Sequence, residues 1–167
     1  MTMHLSPARP EARPMDIGVA RPDRKQLADE LSVGLADAYV LYGLTQHVHW
    51  NATGPMFYSL HRLTETQYED QAEAIDALAE RIRAIGFAAP GGIHEMIAMT
   101  RFKEIPRANS AGDMMRLLIH GNETCARNFR AAVGQAESCD DVMTADLLTR
   151  RIGRHEENVW MLRALLS

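Results

Sequence analysis

HWNATGPMFYSLHRLTETQYEDQAEAIDALAE, residues 49–80, decides the reading of this chain. It carries His49, His61, Glu65, Asp76 and Glu80, at spacings of 12, 4, 11 and 4. Imidazole and carboxylate together suit a first-row transition metal such as iron or zinc. From Phe57 to Ile85 the stretch reads as one helix. It has no internal Gly or Pro and is rich in Leu, Ala, Glu, Gln and Arg. Gly54-Pro55 before it and Gly86 after it serve as start and stop signals. At about 100° per residue, His61, Glu65, Asp76 and Glu80 fall on one arc of about 100°. Leu60, Leu63, Ala74, Ile75, Leu78, Ile82 and Ile85 fall on another stripe, the core face.

The helical rise constrains what those groups can do. Eleven residues at about 1.5 Å each hold Glu65 and Asp76 roughly 16 Å apart along the axis, whereas metal–ligand bonds are about 2 Å. His61/Glu65 and Asp76/Glu80 of one helix therefore cannot share a metal. An antiparallel copy across a two-fold axis brings the first pair of one subunit opposite the second pair of the other, and isologous dimers are the commonest oligomers. The alternative is an acidic helix face that only meets water. His49, in the preceding helix, weighs toward a metal.

A chain of 167 residues with 46% apolar content makes one globular domain with a buried core. A net charge of −4 argues against nucleic acid as the default partner. No apolar run approaches a membrane span, and the N-terminus has no apolar signal-peptide core. Cys125 and Cys139 form no metal spacing or redox motif and read as reduced thiols of a cytoplasmic protein.

Residues 1–22, with Pro7, Pro10, Pro14 and Pro22, read as an extended or mobile arm ahead of a helical domain spanning 23–167. Up to Lys25 the side-chain charge is only +2, five bases against three acids, so a solvated tail outweighs a DNA-binding arm. Arg24 to Ala52 reads as the first long helix. Leu27, Leu31, Leu35, Tyr39 and Tyr42 recur every three or four residues, and the same stripe reaches His49. Trp50 reads as core packing, with a redox-active neighbour of the site as the alternative. Gly86 to Asn109 is too long for a bare loop and holds a short helix, Ile93 to Thr100; His94 and Glu95 there are surface residues. Asn109 or Ser110 caps a third long helix to about Ala136, with Met114, Leu117, Leu118 and Phe129 in the core and His120 without a role. A turn at Glu137 to Asp140 leads to a last helix, Asp141 to Leu166, with Leu147, Leu148, Ile152, Val159, Trp160 and Leu162 apolar. His155 and Glu156 read as a helix-surface pair or part of a subunit contact. The architecture is all-α: a four-helix bundle with one long middle connection, able to run up-down, then down-up. No histidine has Glu three residues before it, so the Glu-x-x-His pairs of bundles that hold two metals within one subunit are absent. No Gly-rich phosphate loop, HExxH or nucleophile elbow is present.

HWNATGPMF (49–57), LH (60–61), ETQYEDQAEAIDALAERIRAIG (65–86) and LLTRRIGRHEENVWMLRALL (147–166) resemble the Dps family, the ferritin-like DNA-protection proteins of starved bacterial cells. The similarity runs from about Asp16 to Leu166. It implies a ferritin-like four-helix bundle with a short helix in the middle connection, and a hollow homo-dodecamer. It also implies a ferroxidase centre across the two-fold interface, with His49, His61 and Glu65 from one subunit and Asp76 and Glu80 from its mate. Two iron ions per site, Fe(II) oxidised to Fe(III) with hydrogen peroxide as the favoured oxidant, would be stored as ferric oxide, protecting DNA from oxidative damage. Many members have Asp where this chain has Glu65, and the usual HEK near the C-terminus is HEE here, with Glu157 in place of Lys. Trp50 could intercept stray oxidising equivalents. Asp140, Asp141 and Asp146 resemble the family's acidic three-fold pore; the alternative for them is helix capping and dipole compensation. DNA is the weaker partner, because the arm's Arg residues are nearly matched by acids and the chain ends without a basic tail. The competing reading is a nucleoid-binding structural protein with incidental metal binding, nucleoid-associated rather than free in the cytoplasm.

Overall fold

A computed structural model describes residues 15–102 and 105–167. Five helices follow in order: α1 (Arg21–Asn51), α2 (Phe57–Ala84), α3 (Ile93–Met99), α4 (Ala111–Ser138) and α5 (Val142–Leu166). No strand occurs among the described residues. Most of the expected arm, residues 1–14, lies outside them. The first helix starts at Arg21, earlier than the expected Arg24, because Pro22 sits in its first turn, where a missing N–H costs nothing.

Side-chain contacts fix the topology. His49 meets His61 while Arg24 reaches Ile85, so α1 and α2 are antiparallel. Asp37 accepts from Asn128, and Gln26 bonds Gln135, so α4 also opposes α1. Arg81 reaches Thr144 and Asp70 receives Arg151, so α5 opposes α2. The bundle therefore runs up-down, then down-up, with the α2–α4 connection crossing its length. Short α3 packs on α1 within that connection.

The long helices bury a continuous apolar core that includes Leu27, Leu31, Leu35, Leu41, Leu60, Leu78, Ile82, Met115, Leu118, Phe129, Leu148 and Leu162. Gly34 and Gly121 let α1 and α4 come close: a Cβ on Gly34 would stand 2.7 Å from the Phe129 ring, and one on Gly121 2.7 Å from Leu41 Cδ1. Three expected core aromatics are not buried within the chain. Tyr39 is 43% exposed, Trp50 68% and Trp160 69%. Their spacing places them on helix faces that the other helices of the same chain do not cover. On α4, Met115 takes the fully buried place, with Met114 only packed against the core.

Polar groups tie the ends. Arg24 donates to the carbonyls of Ile85 (2.8 Å), Val19 (3.1 Å) and Met15 (3.3 Å), which sets a guanidinium at the C-terminus of α2, where the helix dipole favours a cation. Fully buried Asp37 accepts from Thr100 Oγ1 (2.7 Å), the Arg101 N–H (2.7 Å) and Asn128 Nδ2 (2.9 Å), so one carboxylate holds the end of α3 and the flank of α4 onto α1. The Ser110 hydroxyl accepts from the Asp113 N–H at 3.1 Å, the expected cap.

The α4–α5 turn passes through Asp140, a non-glycine residue at φ 59°. Asp141 then caps α5, accepting from the Thr144 N–H (3.0 Å), Thr144 Oγ1 (2.7 Å) and Arg81 (2.6 Å), and is only 3% exposed. His155 corrects its expected place on the surface. It is 2% exposed and bonds Asn122 Oδ1 through Nδ1 at 2.8 Å, while Glu156 points out and pairs with Arg130.

Two stability tests follow from these contacts. Breaking the Asp141 cap leaves largely buried Arg81 without its carboxylate, so Asp141→Ala should cost about 2–4 kcal/mol. The exposed cap mutant Ser110→Ala should cost about 1 kcal/mol. Denaturant midpoints of the two variants measure the difference. Burial, together with the charge of Arg151 and against the pull of Asp70, lowers the His155 pKa from 6.5 to about 3. Between those values the unfolded chain binds a proton that the folded chain does not, so stability falls as pH falls. From pH 6.5 to 4.5 this one group contributes at most about 1.4 kcal/mol per pH unit. His155→Gln should flatten the pH dependence of Tm across that interval by a corresponding amount.

Candidate metal centre

The α1–α2 corner presents an interlocked histidine pair. α1 ends at Asn51, Gly54 turns the chain at φ 91°, and α2 begins at Phe57. His49 Nδ1 lies 2.9 Å from the His61 carbonyl, and His61 Nδ1 lies 3.0 Å from the His49 carbonyl. A carbonyl can only accept, so each neutral ring carries its proton on Nδ1 and leaves the Nε2 lone pair unprotonated. The rings stack at 3.8 Å between centroids, 16° from parallel. Such a backbone hydrogen bond is the outer-shell contact that fixes the tautomer and orientation of a metal-binding imidazole.

Side chains around the pair hold it in place. Buried Thr64 lies 3.3 Å from His49 Nδ1 and donates to the Leu60 carbonyl at 2.7 Å. Phe57 stacks on His61 at 5.1 Å, and Tyr68 meets His49 edge-on at 5.1 Å. Partial burial, then the Glu65 and Glu69 carboxylates, raise the Tyr68 pKa and keep its phenol protonated. Thr64 and Tyr68 went unassigned in the sequence, although their places one residue before Glu65 and three after it set them beside the site. Glu65 lies one turn beyond His61, partly exposed, and pairs with Arg62. His49, His61 and Glu65 thus share one end of the α1–α2 pair, and two imidazoles with one carboxylate suit iron or zinc.

Asp76 and Glu80 lie farther along α2, both exposed. The helix is unbroken from Phe57 to Ala84, so the roughly 16 Å between Glu65 and Asp76 stands. Among the described residues of a single chain, no three His, Cys, Asp or Glu side chains converge where a metal could sit. Trp50, next to His49, projects into solvent.

The other acidic residues divide. Asp141 is buried in its cap, so capping accounts for it, whereas Asp140 and Asp146 are exposed and Asp146 pairs with Arg150 at 2.7 Å. Glu157 bonds Arg154 at 2.8 Å. A groove of about 470 Å³ between α2 and α5, lined by Asp70, Arg150, Arg151 and Arg154 among others, does not include the histidine pair. Its arginines are held by carboxylates: Arg150 by Asp146, Arg151 by Asp70, and Arg154 by Asp70 and Glu157. Cys125 is buried and Cys139 partly buried, both as free thiols.

Comparison with known proteins bears on these features. A ferritin-like domain profile matches residues 28–167. The DNA protection during starvation protein 2 of Bacillus anthracis is 32% identical over 143 residues, which are 86% of this chain and 98% of that one. A low-temperature-induced protein of Nostoc is 36% identical over 92% of this chain and 87% of its own. The Dps protein of Vibrio cholerae O1 is described as a member of a broad superfamily of ferritin-like diiron-carboxylate proteins. It superposes with a TM-score of 0.86 at 30% identity, over 97% of this chain and 100% of that one. DpsC of Streptomyces coelicolor gives 0.89 at 24% identity over 94% and 92%, a likeness of fold. The chain belongs to the ferritin-like family, among the Dps proteins.

Proposed function

We propose that this protein is a ferroxidase that detoxifies and stores iron, and that its metal site is shared by two subunits. His49, His61 and Glu65 of one subunit face Asp76 and Glu80 of the partner subunit across a two-fold axis. The observation that carries this reading is the histidine pair. Its reciprocal backbone bonds leave both Nε2 lone pairs free, with Glu65 one turn beyond His61 on the same helix, while the two remaining carboxylates lie exposed and too far along that helix to join it.

Fe(II) is the substrate. The two imidazoles and three carboxylates would hold two ions, the carboxylates favouring the Fe(III) product electrostatically. Each Fe(II) gives one electron to a shared hydrogen peroxide, which takes up two protons and leaves as two waters. Paired transfer avoids hydroxyl radical. The oxidised iron would collect as ferric oxide inside a homo-dodecamer, with exposed Asp140 and Asp146 at its pores and Trp50 a neighbouring trap for stray oxidising equivalents. Iron storage and DNA protection are the general roles of the family. Removing Fe(II) and peroxide together would protect DNA without binding it. No helix among the described residues is long and apolar enough to cross a membrane, and the reading places the protein in the cytoplasm.

Anaerobic Fe(II) titration with peroxide tests the proposal. The expected result is about two Fe(II) consumed per peroxide, radical yield suppressed, and both effects lost in Asp76→Ala/Glu80→Ala. A ratio equal to that of protein-free buffer would overturn it. Electrophoretic mobility shifts with DNA at physiological and at raised salt address the nucleoid-binding alternative. Little retention is expected, and salt-sensitive retention would favour that alternative.

A further inference from the structure

The core-facing stripe of α2 is interrupted by two carboxamides. Gln67 and Gln71 stand one turn apart, each 2% exposed. Neither the nitrogen nor the oxygen of either amide meets a hydrogen-bond partner among the described residues. They are buried within a single chain, so no second subunit can reach them. Four unpaired polar atoms in a bundle interior are costly, and leucine at both positions would pack without that cost.

Contacts between the helices locate the amides. Arg81 meets Thr144 at 2.8 Å, and Asp70 receives both Arg151 amino groups at 3.0 and 2.6 Å. In this antiparallel register, Gln67 and Gln71 stand level with Arg151 to His155. At that level His155 Nδ1 lies 2.8 Å from Asn122 Oδ1 on α4, and Asn158 Nδ2 donates to the same oxygen at 3.2 Å. All three side chains are buried. Because Nδ1 is directed at α4, the opposite edge of the ring, which carries Nε2, faces away from α4. The charged pair Asp70–Arg151 lies at the outer margin of this layer, beside the α2–α5 groove.

We propose that Gln67 and Gln71 enclose ordered internal water that bridges α2 to the Asn122–His155–Asn158 cluster. The chemistry of the layer selects water. Each carboxamide offers a donor and an acceptor together, and the nearby carboxylates are already held, Asp70 by Arg151 and Asp37 by Thr100, Arg101 and Asn128. A cation would find no free charge, and an apolar molecule would leave the same four atoms unpaired. A buried water typically makes about three hydrogen bonds, which suits two adjacent amides and a polar cluster at the same level of the bundle.

A high-resolution crystal structure of the full chain, compared with that of Gln67→Leu/Gln71→Leu, tests this. The expected result is water density within hydrogen-bond reach of both amides, absent from the double variant in an otherwise unchanged bundle. Water-proton relaxation dispersion of the parent should show a long-lived component that the variant lacks. Amides paired with each other or with backbone carbonyls, and no water between them, would overturn the proposal. If the double variant does not fold, the parent density decides alone.

Discussion

The length of α2 between His61 and Glu80 governs how this molecule can handle a metal. The helix is continuous through that stretch, and its rise keeps two pairs of ligand-type residues roughly 16 Å apart. No rotamer change closes such a gap, so in the proposed site each pair is one half and the other half comes from a second subunit. The α1–α2 corner sharpens this division. His49 and His61 hold each other's backbone carbonyl, so their orientation is set before any metal arrives. The Asp76 and Glu80 half is exposed side chain on a rigid helix. In the proposed site, an organised half meets a solvated half.

Much of this organisation was legible in the residues. Apolar residues every three or four positions gave the long helices and their core stripes, and the length of the middle connection required α3. The Ser110 cap was readable because capping is local. Periodicity places a residue on a face but does not say what covers that face. Tyr39, Trp50 and Trp160 sit at apolar spacing and are nevertheless exposed. His155 shows the opposite difficulty. It sits in a run of charged residues, RRIGRHEE, and its burial depends on Asn122, 33 residues away on another helix. Asp141 looked like one of three similar acids until Arg81, 60 residues earlier, was found bonded to it. At the candidate site the spacings of the five ligand-type residues encode how far apart they stand along the helices. The carbonyl lock and the packing of Tyr68 depend on how two helices meet, which no spacing records.

The polar interior has a common logic. Asp37, Asn122, His155 and Arg151 are all buried, and each has partners on other helices. Buried polar groups lose hydration wherever they sit, so arrangements that pair them are favoured over those that do not. These groups therefore restrict the register of the bundle more tightly than leucines could, because sliding one helix past another would unpair them. Register matters for the proposed chemistry, since a one-residue shift of α1 against α2 would break both carbonyl bonds of the histidine pair.

The exposed apolar residues follow from the same division of labour. Trp50, Phe57 and Tyr58 surround the α1–α2 corner, Ile93 and Ile97 lie one turn apart on α3, and Val142 and Met143 open α5. Scattered apolar residues need no explanation, but contiguous ones on a lone chain point to contact with other molecules. The group at the corner adjoins the histidine pair, which in the proposed site takes Asp76 and Glu80 from another subunit. Covering those rings with a second subunit would bury apolar area and complete a donor set in one step. Assembly and metal binding would then be coupled, each favouring the other through the same surface.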